Sequence, residues 1–181
     1  MRAVVKNPVQ FAAGTLRQLG LGQRVEALFA DTSQKNARGG AVPLLLSITC
    51  KSMGMDLLFP PDVSGWKSGD AWISSATMVE RMKWSDILFG RFVAGKASKA
   101  APASRTLNYP VFSLVKDTPS PRGLVDRLVV LFDAPLSGSK KDKLYQAADD
   151  ATGGTLTEDN ANMAAAAVAR LIFGSPEFQF C

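Results

Sequence analysis

The 181-residue chain contains no histidine. That absence excludes Ser-His-Asp and Cys-His nucleophilic machinery, histidine-ligated zinc and the HExxH type of metal site from the chain itself. Catalysis would have to draw on carboxylates, lysine, arginine, tyrosine or a residue of another chain, so a self-contained enzyme is not expected. Cysteine is nearly as scarce. Cys50 and Cys181 give no metal-ligand spacing, and Cys50, within an apolar run, is expected to act as a small buried hydrophobe. No run approaches the roughly 18 apolar residues needed for a membrane-spanning helix. The opening "MRAVVKNPVQFAAGTL" is interrupted by Lys6, Asn7, Pro8 and Gln10 before any apolar region adequate for a signal peptide.

What is present suits a folded chain. Hydrophobic residues make up 46% and charged residues 20%, near globular averages, and the length matches one helical domain over residues 1–181. The net charge is +5, but the basic residues are spread along the chain and mixed with acids. The densest run, "KKDK" at Lys140 to Lys143, contains an aspartate and lacks interleaved aromatics, so it reads as solvated surface and no nucleic-acid partner is expected.

Helical periodicity dominates. Asn7 followed by Pro8 is a helix start, with Val9, Ala12, Ala13, Leu16 and Leu19 on one face and Gly20 as the stop. A short helical piece is expected at Gln23 to Phe29, before the loop "DTSQKNARGG". "AVPLLLSITCKSM", Ala41 to Met53, reads as a helix buried on most sides and ended by Gly54. Past the loop that follows, a serine-capped helix places Met78, Val79 and Met82 together as core filler. The Ala-, Ser-, Lys- and Pro-rich residues 94–106 read as a mobile linker or insertion, and Tyr109 to Val115 is apolar but too short to assign, an extended segment pinning the linker being one reading.

The second half is more regular. Ser120 and Pro121 repeat the cap-plus-proline start, with Leu124, Val125, Leu128, Val129 and Phe132 as the apolar stripe and Arg122 and Asp126 as an i,i+4 pair. A more polar helix covers "KKDKLYQAADDA". In the last helix, Thr155 with Glu158 fits a capping box and Thr157 competes as the cap. Its face is Met163, Ala164, Ala167, Val168, Leu171 and Ile172, and Gly174, Ser175 and Pro176 end it. The fold class is therefore all-α, an irregular bundle of five or six helices.

The segment between the second pair of helices, "FPPDVSGWKSGDAW", is too irregular for either regular element. Asp56, Asp62 and Asp70 do not follow the D-x-[DN]-x-[DN]-G spacing, so no metal and no cofactor is expected. Asp62 and Asp70 beside Trp66 and Trp72 are the candidate binding residues, because flat aromatic faces with adjacent carboxylates suit a sugar or a proline-rich peptide. The same tryptophans beside Gly65 equally suit a packing joint, in which Pro60, Pro61 and Gly65 set the shape. Both readings stay open at this level.

Three blocks, "VKNPVQFAAGTLRQLG", "MGMDLLFPPDVSGWKSGDAWISSATMVERM" and "GSPEFQF", resemble the C-terminal part of the domain-of-unknown-function 1800 family. Its bacterial members show a K-[ST]-P-V-E-F-like helix start, a G-Q-x-L-F-x-P-P-x-V-x-G-W loop followed by W-[IL], and an S-P-E-F-Q ending. The chain departs from that pattern at Asn7, at Met55 in place of Gln, and at Lys67 and Ser68 in place of Pro-Gly. The family's shape-setting residues Pro60, Pro61, Gly65, Trp66 and Trp72 are kept. The resemblance implies a C-terminal fragment, or a truncated gene product, of a longer exported protein, periplasmic or extracellular, whose partners are its own N-terminal part and an envelope protein or carbohydrate.

The family lends no catalytic residues. The expected role is a non-catalytic structural or binding portion of an envelope-associated protein. The alternative is the substrate-binding part of a hydrolase whose catalytic groups lie in an N-terminal region outside this chain.

Overall fold

In the computed structural model, residues 4–21, 41–90, 107, 109–117 and 119–180 are described. The helical piece expected at Gln23 to Phe29, the loop after it and the 94–106 segment lie outside them. Six α-helices occur among the described residues: α1 (Pro8–Gln18), α2 (Ala41–Ser52), α3 (Ser75–Phe89), α4 (Pro121–Leu131), α5 (Gly138–Thr152) and α6 (Glu158–Gly174). The irregular all-α bundle read from the sequence is the observed class. No strand occurs among the described residues beyond an isolated antiparallel bridge between Val5 and Phe180. The chain divides into two compact units, Met1–Glu80 with Gln179–Cys181, and Arg81–Phe178.

In the first unit, α1 begins as its sequence requires. Asn7 Oδ1 accepts from the Gln10 N–H at 2.8 Å while Gln10 Oε1 accepts from the Asn7 N–H at 3.0 Å, a reciprocal cap that satisfies two orphan donors. At its end Gly20, at φ +67°, lets its own N–H reach Arg17 O and the Leu21 N–H reach Leu16 O, both at 2.9 Å. The buried face is Pro8, Phe11, Ala12, Thr15 and Leu16, whereas Ala13 is exposed. The expected face was thus rotated, because Phe11 carries more apolar area than Ala13 and claims the core.

Helix α2 packs on α1 and ends the same way, with Gly54 at φ +94° and the Met55 N–H on Cys50 O at 2.8 Å. It is less enclosed than its leucines suggest: Leu45, Leu46 and Ser47 are half-buried and Ile48 is 50% exposed. Cys50 is buried, and desolvation pushes its thiol up to about 11. Met53, three residues further on, is fully buried.

The second unit holds its core on an aromatic cluster. The Phe132 ring stands edge-on to Phe89, Phe173 and Phe178 at 6.4, 5.1 and 6.1 Å, and Phe173 stacks on Phe178 at 5.1 Å. Leu124, Val125, Leu128 and Val129 of α4 are buried as their spacing requires, behind a Ser120 hydroxyl that accepts from the Gly123 N–H at 3.0 Å. Helices α4, α5 and α6 pack on one another, and the small side chains Ala161, Ala164, Ala165 and Ala169 permit close approach.

The face of α6 differs in half its members. Ala164, Val168 and Ile172 are buried, but Met163 and Ala167 are half-buried and Leu171 is exposed, while Phe173 is fully enclosed. Its start also resolves the competing caps: Thr157 is the N-cap, its N–H donating to Asn160 Oδ1 at 2.8 Å. Asn160 Nδ2 in turn donates to Thr155 O at 2.9 Å, so Thr155 serves through its carbonyl.

In α3 the buried residues are Arg81, Trp84, Ser85, Leu88 and Phe89, not the methionines. A fully buried arginine hides this stripe from a hydrophobicity pattern. Burial pushes the Arg81 guanidinium down to about 10, which still leaves it charged at neutral pH. Tyr109 to Val115, too short to assign from its sequence, contains the 3₁₀ helix Val111–Leu114, and the N–H groups of Leu107 and Tyr109 ahead of it bond Ile87 O and Leu88 O at 2.7 and 2.9 Å. They thereby satisfy carbonyls at the end of α3.

Candidate functional site

The loop from Met55 to Trp72 is built between two fixed ends of the first unit. At its start, the Lys51 ammonium pairs with Asp56 at 2.7 Å, and the Phe59 N–H donates to Asp56 O at 3.0 Å. At its end, the Thr77 hydroxyl donates to Trp72 O at 3.0 Å. Ser74 and Thr77 also cap α3 reciprocally, Ser74 N–H on Thr77 Oγ1 at 2.8 Å and Thr77 N–H on Ser74 Oγ at 3.2 Å. The ends lie side by side, since the Cβ position of Gly54 is 3.8 Å from Thr77 Cγ2.

Between those ends the backbone is folded by specific residues. Asp62 Oδ1 accepts from the N–H of Ser64 at 2.8 Å and from its hydroxyl, and the Gly65 N–H closes the turn on Asp62 O at 3.1 Å. Gly65 sits at φ +88°, a conformation that a side chain would strain. Asp70 lies in the first turn of the 3₁₀ helix Gly69–Trp72, and its carbonyl accepts from the Ile73 N–H at 3.0 Å.

The four candidate binding residues occupy different environments. Asp62 and Asp70 are exposed, Trp66 is half-buried and Trp72 is buried. The hydroxyl and then the backbone N–H of Ser64 hold the Asp62 carboxyl below the ordinary carboxylate range. It is therefore ionised at neutral pH, which suits a fixed anionic acceptor and not a proton donor. Pro60 and Pro61 are exposed between the two turns.

The largest feature of the loop is apolar and was not singled out from the sequence. Leu58, Phe59 and Val63 are 89, 73 and 109% exposed. Leu58 also holds φ +70°, a left-handed conformation uncommon for a branched side chain. Its neighbours in sequence carried the one available signal: large apolar residues set directly against two prolines, in a segment without the period of any buried element.

The second unit offers a wide depression of about 460 Å³ lined by Leu114, Val115, Asp117, Gly123, Asp126, Arg127 and Val130. The expected Arg122 and Asp126 pair is organised round a third side chain. The Tyr145 hydroxyl donates to Asp126 Oδ1 at 2.6 Å, and the Arg122 guanidinium lies 5.5 Å from the Tyr145 ring centre. Among the described residues no three acidic or cysteine side chains gather as a metal would require, and no helix is long and apolar enough to cross a membrane.

Comparison with known proteins gives one match. The model of a family described as "Protein of unknown function (DUF1800)" matches residues 2–180. No curated protein and no solved structure matches.

Proposed function

The chain belongs to the DUF1800 family of proteins of unknown function, and from that premise we propose that it is a non-catalytic binding portion of an exported, envelope-associated bacterial protein. Its contact element is the loop from Met55 to Trp72, and its partner is a polypeptide surface. The observation that carries this reading is the exposure of Leu58, Phe59 and Val63 on a loop whose backbone is already ordered. Burying one such side chain stabilises a complex by about 1.5–3 kcal/mol, and a loop stiffened by Pro60 and Pro61 loses little further entropy on docking. The resemblance of the three sequence blocks supports the export setting.

A photo-crosslinking residue placed at Phe59 in cells provides the test. A discrete polypeptide adduct that Val63→Asp abolishes, and that a probe at exposed Lys116 does not give, supports the reading. Equal, diffuse labelling from both positions removes it. Turnover of a polysaccharide, ester or phosphoester by the purified chain would falsify the non-catalytic part.

A second reading has its own support. Trp66 is only half-buried and has exposed Asp62 and Asp70 within four residues on either side, as a sugar-binding wall of a hydrolase would require. Saturable binding of a soluble oligosaccharide that Trp66→Ala abolishes without change in melting temperature favours it over polypeptide docking.

A further inference from the structure

A separate groove in the second unit, independent of the loop, has a volume of about 270 Å³. Its walls are Met82 of α3, Leu136, Leu144 of α5, and Leu171 and Gly174 of α6, and Pro176 closes one side. The Gly174 to Pro176 wall belongs to the "GSPEFQF" block, which the proposed function leaves unused. Gly174 is where a side chain would intrude, since a Cβ there would come within 3.3 Å of Met82 Sδ.

The polar groups at this groove are mostly committed. The Ser175 hydroxyl donates to Ile172 O at 2.7 Å, and Lys140 is paired with Glu177. Lys143, also lining the groove, is exposed to solvent. The lining is thus apolar inside, with one uncommitted positive charge at its edge once the Lys140 and Glu177 charges cancel.

We infer that this groove binds a medium-chain carboxylate, with the alkyl chain against Met82, Leu136, Leu144 and Leu171 and the carboxylate at the Lys143 ammonium. The size sets the chain length. A methylene takes up roughly the ~30 Å³ share of a water molecule, so the groove accommodates about eight to ten carbons. A larger multi-ring ligand would need a pocket of about 300–1,000 Å³. The charge sets the head group, because an anion meets a net positive edge and an ammonium amphiphile would be repelled.

The test compares decanoate with decanol on the full chain by calorimetry below the micellar concentration, with amide chemical shifts followed in parallel. Decanoate is expected to bind saturably and about threefold or more tightly than decanol, as an exposed ion pair allows. Lys143→Gln should bring decanoate to the affinity of decanol, and Leu171→Glu should weaken both about tenfold. Lys143 and Leu171 are solvent-exposed, so neither change removes a core contact. In the unaltered chain the largest shifts should fall on Leu171, Gly174 and Ser175, a readout that requires no variant. Absence of saturable binding, equal affinity for the two compounds, shifts confined elsewhere, or indifference to both substitutions would each overturn the assignment.

Discussion

Ser64 donates both its backbone N–H and its hydroxyl to a single oxygen, Oδ1 of Asp62, and thereby fixes the crest of the exposed loop. Because these bonds favour the carboxylate, the Asp62 carboxyl titrates below its ordinary value of 3.8. Its contribution to loop order is fully present above that value and is lost as pH falls through the lowered one. A carbon-detected titration of Asp62 should show the depressed midpoint, and Ser64→Ala should return it toward the ordinary value. Asp62→Ala should raise hydrogen exchange at Ser64 and Gly65, whereas Asp62→Asn should largely preserve protection.

The two loop tryptophans separate packing from contact. Trp72 is buried, so Trp72→Ala is expected to cost about 3–5 kcal/mol in denaturant unfolding. Trp66 is half-buried, and Trp66→Ala should cost clearly less. Equal losses at both positions would show that the half-buried ring is as deeply involved in packing as its neighbour.

Asp86 of α3 pairs with Arg170 of α6, and the Asp86 side chain is largely enclosed. Removing the carboxylate leaves a partly buried guanidinium, so Asp86→Ala is expected to destabilise by about 1–3 kcal/mol, between the values for exposed and buried pairs. Arg170→Met in the same background should recover part of that loss, because the stranded charge is removed with it. A double-mutant cycle by chemical denaturation measures the coupling.

Cys50 provides a folding reporter. With its thiol raised to about 11, the thiolate fraction at pH 8 is on the order of 10⁻³, and burial restricts access further. In a chain carrying Cys181→Ser, a disulfide-exchange reagent at pH 8 should label the native protein at least tenfold more slowly than the urea-unfolded protein. Fast native labelling would show that the end of α2 opens readily.

Much of the fold was legible because its signals are local. Asn7 with Pro8 and Ser120 with Pro121 announce helices that start where those residues stand, and Gly20 and Gly54 end theirs in left-handed turns. The α4 stripe is legible because Leu124, Val125, Leu128 and Val129 recur at helical spacing on the buried side, with exposed Val130 standing outside it. The α1 and α6 faces were partly misread for a shared reason: alanine marks helix without marking a side, so Phe11 and Phe173 decide orientations that Ala13 and Ala167 do not oppose. Arg81 defeats pattern reading outright, since nothing in a sequence distinguishes a buried guanidinium from a solvated one.

The candidate site was less legible than the fold. Pro60, Pro61, Asp62 and Gly65 predict a turn by their own conformational limits, and the turn is there. That Leu58, Phe59 and Val63 face water is set by the arrangement of the whole loop, and apolar residues in a sequence are read by default as core. The groove walled by Met82, Leu144 and Gly174 draws on three helices and leaves no trace in any one segment.

The bridge of Val5 with Phe180, reinforced by the Lys6 N–H on Gln179 O at 2.7 Å, ties the first unit together across a long span of sequence. Residues 81–178 form one contiguous stretch, whereas the first unit brings Gln179 and Phe180 back onto Lys6 and Val5. Removing Gln179 and Phe180 would therefore take away the partners of Lys6 and Val5 while leaving the second unit's stretch of sequence unbroken.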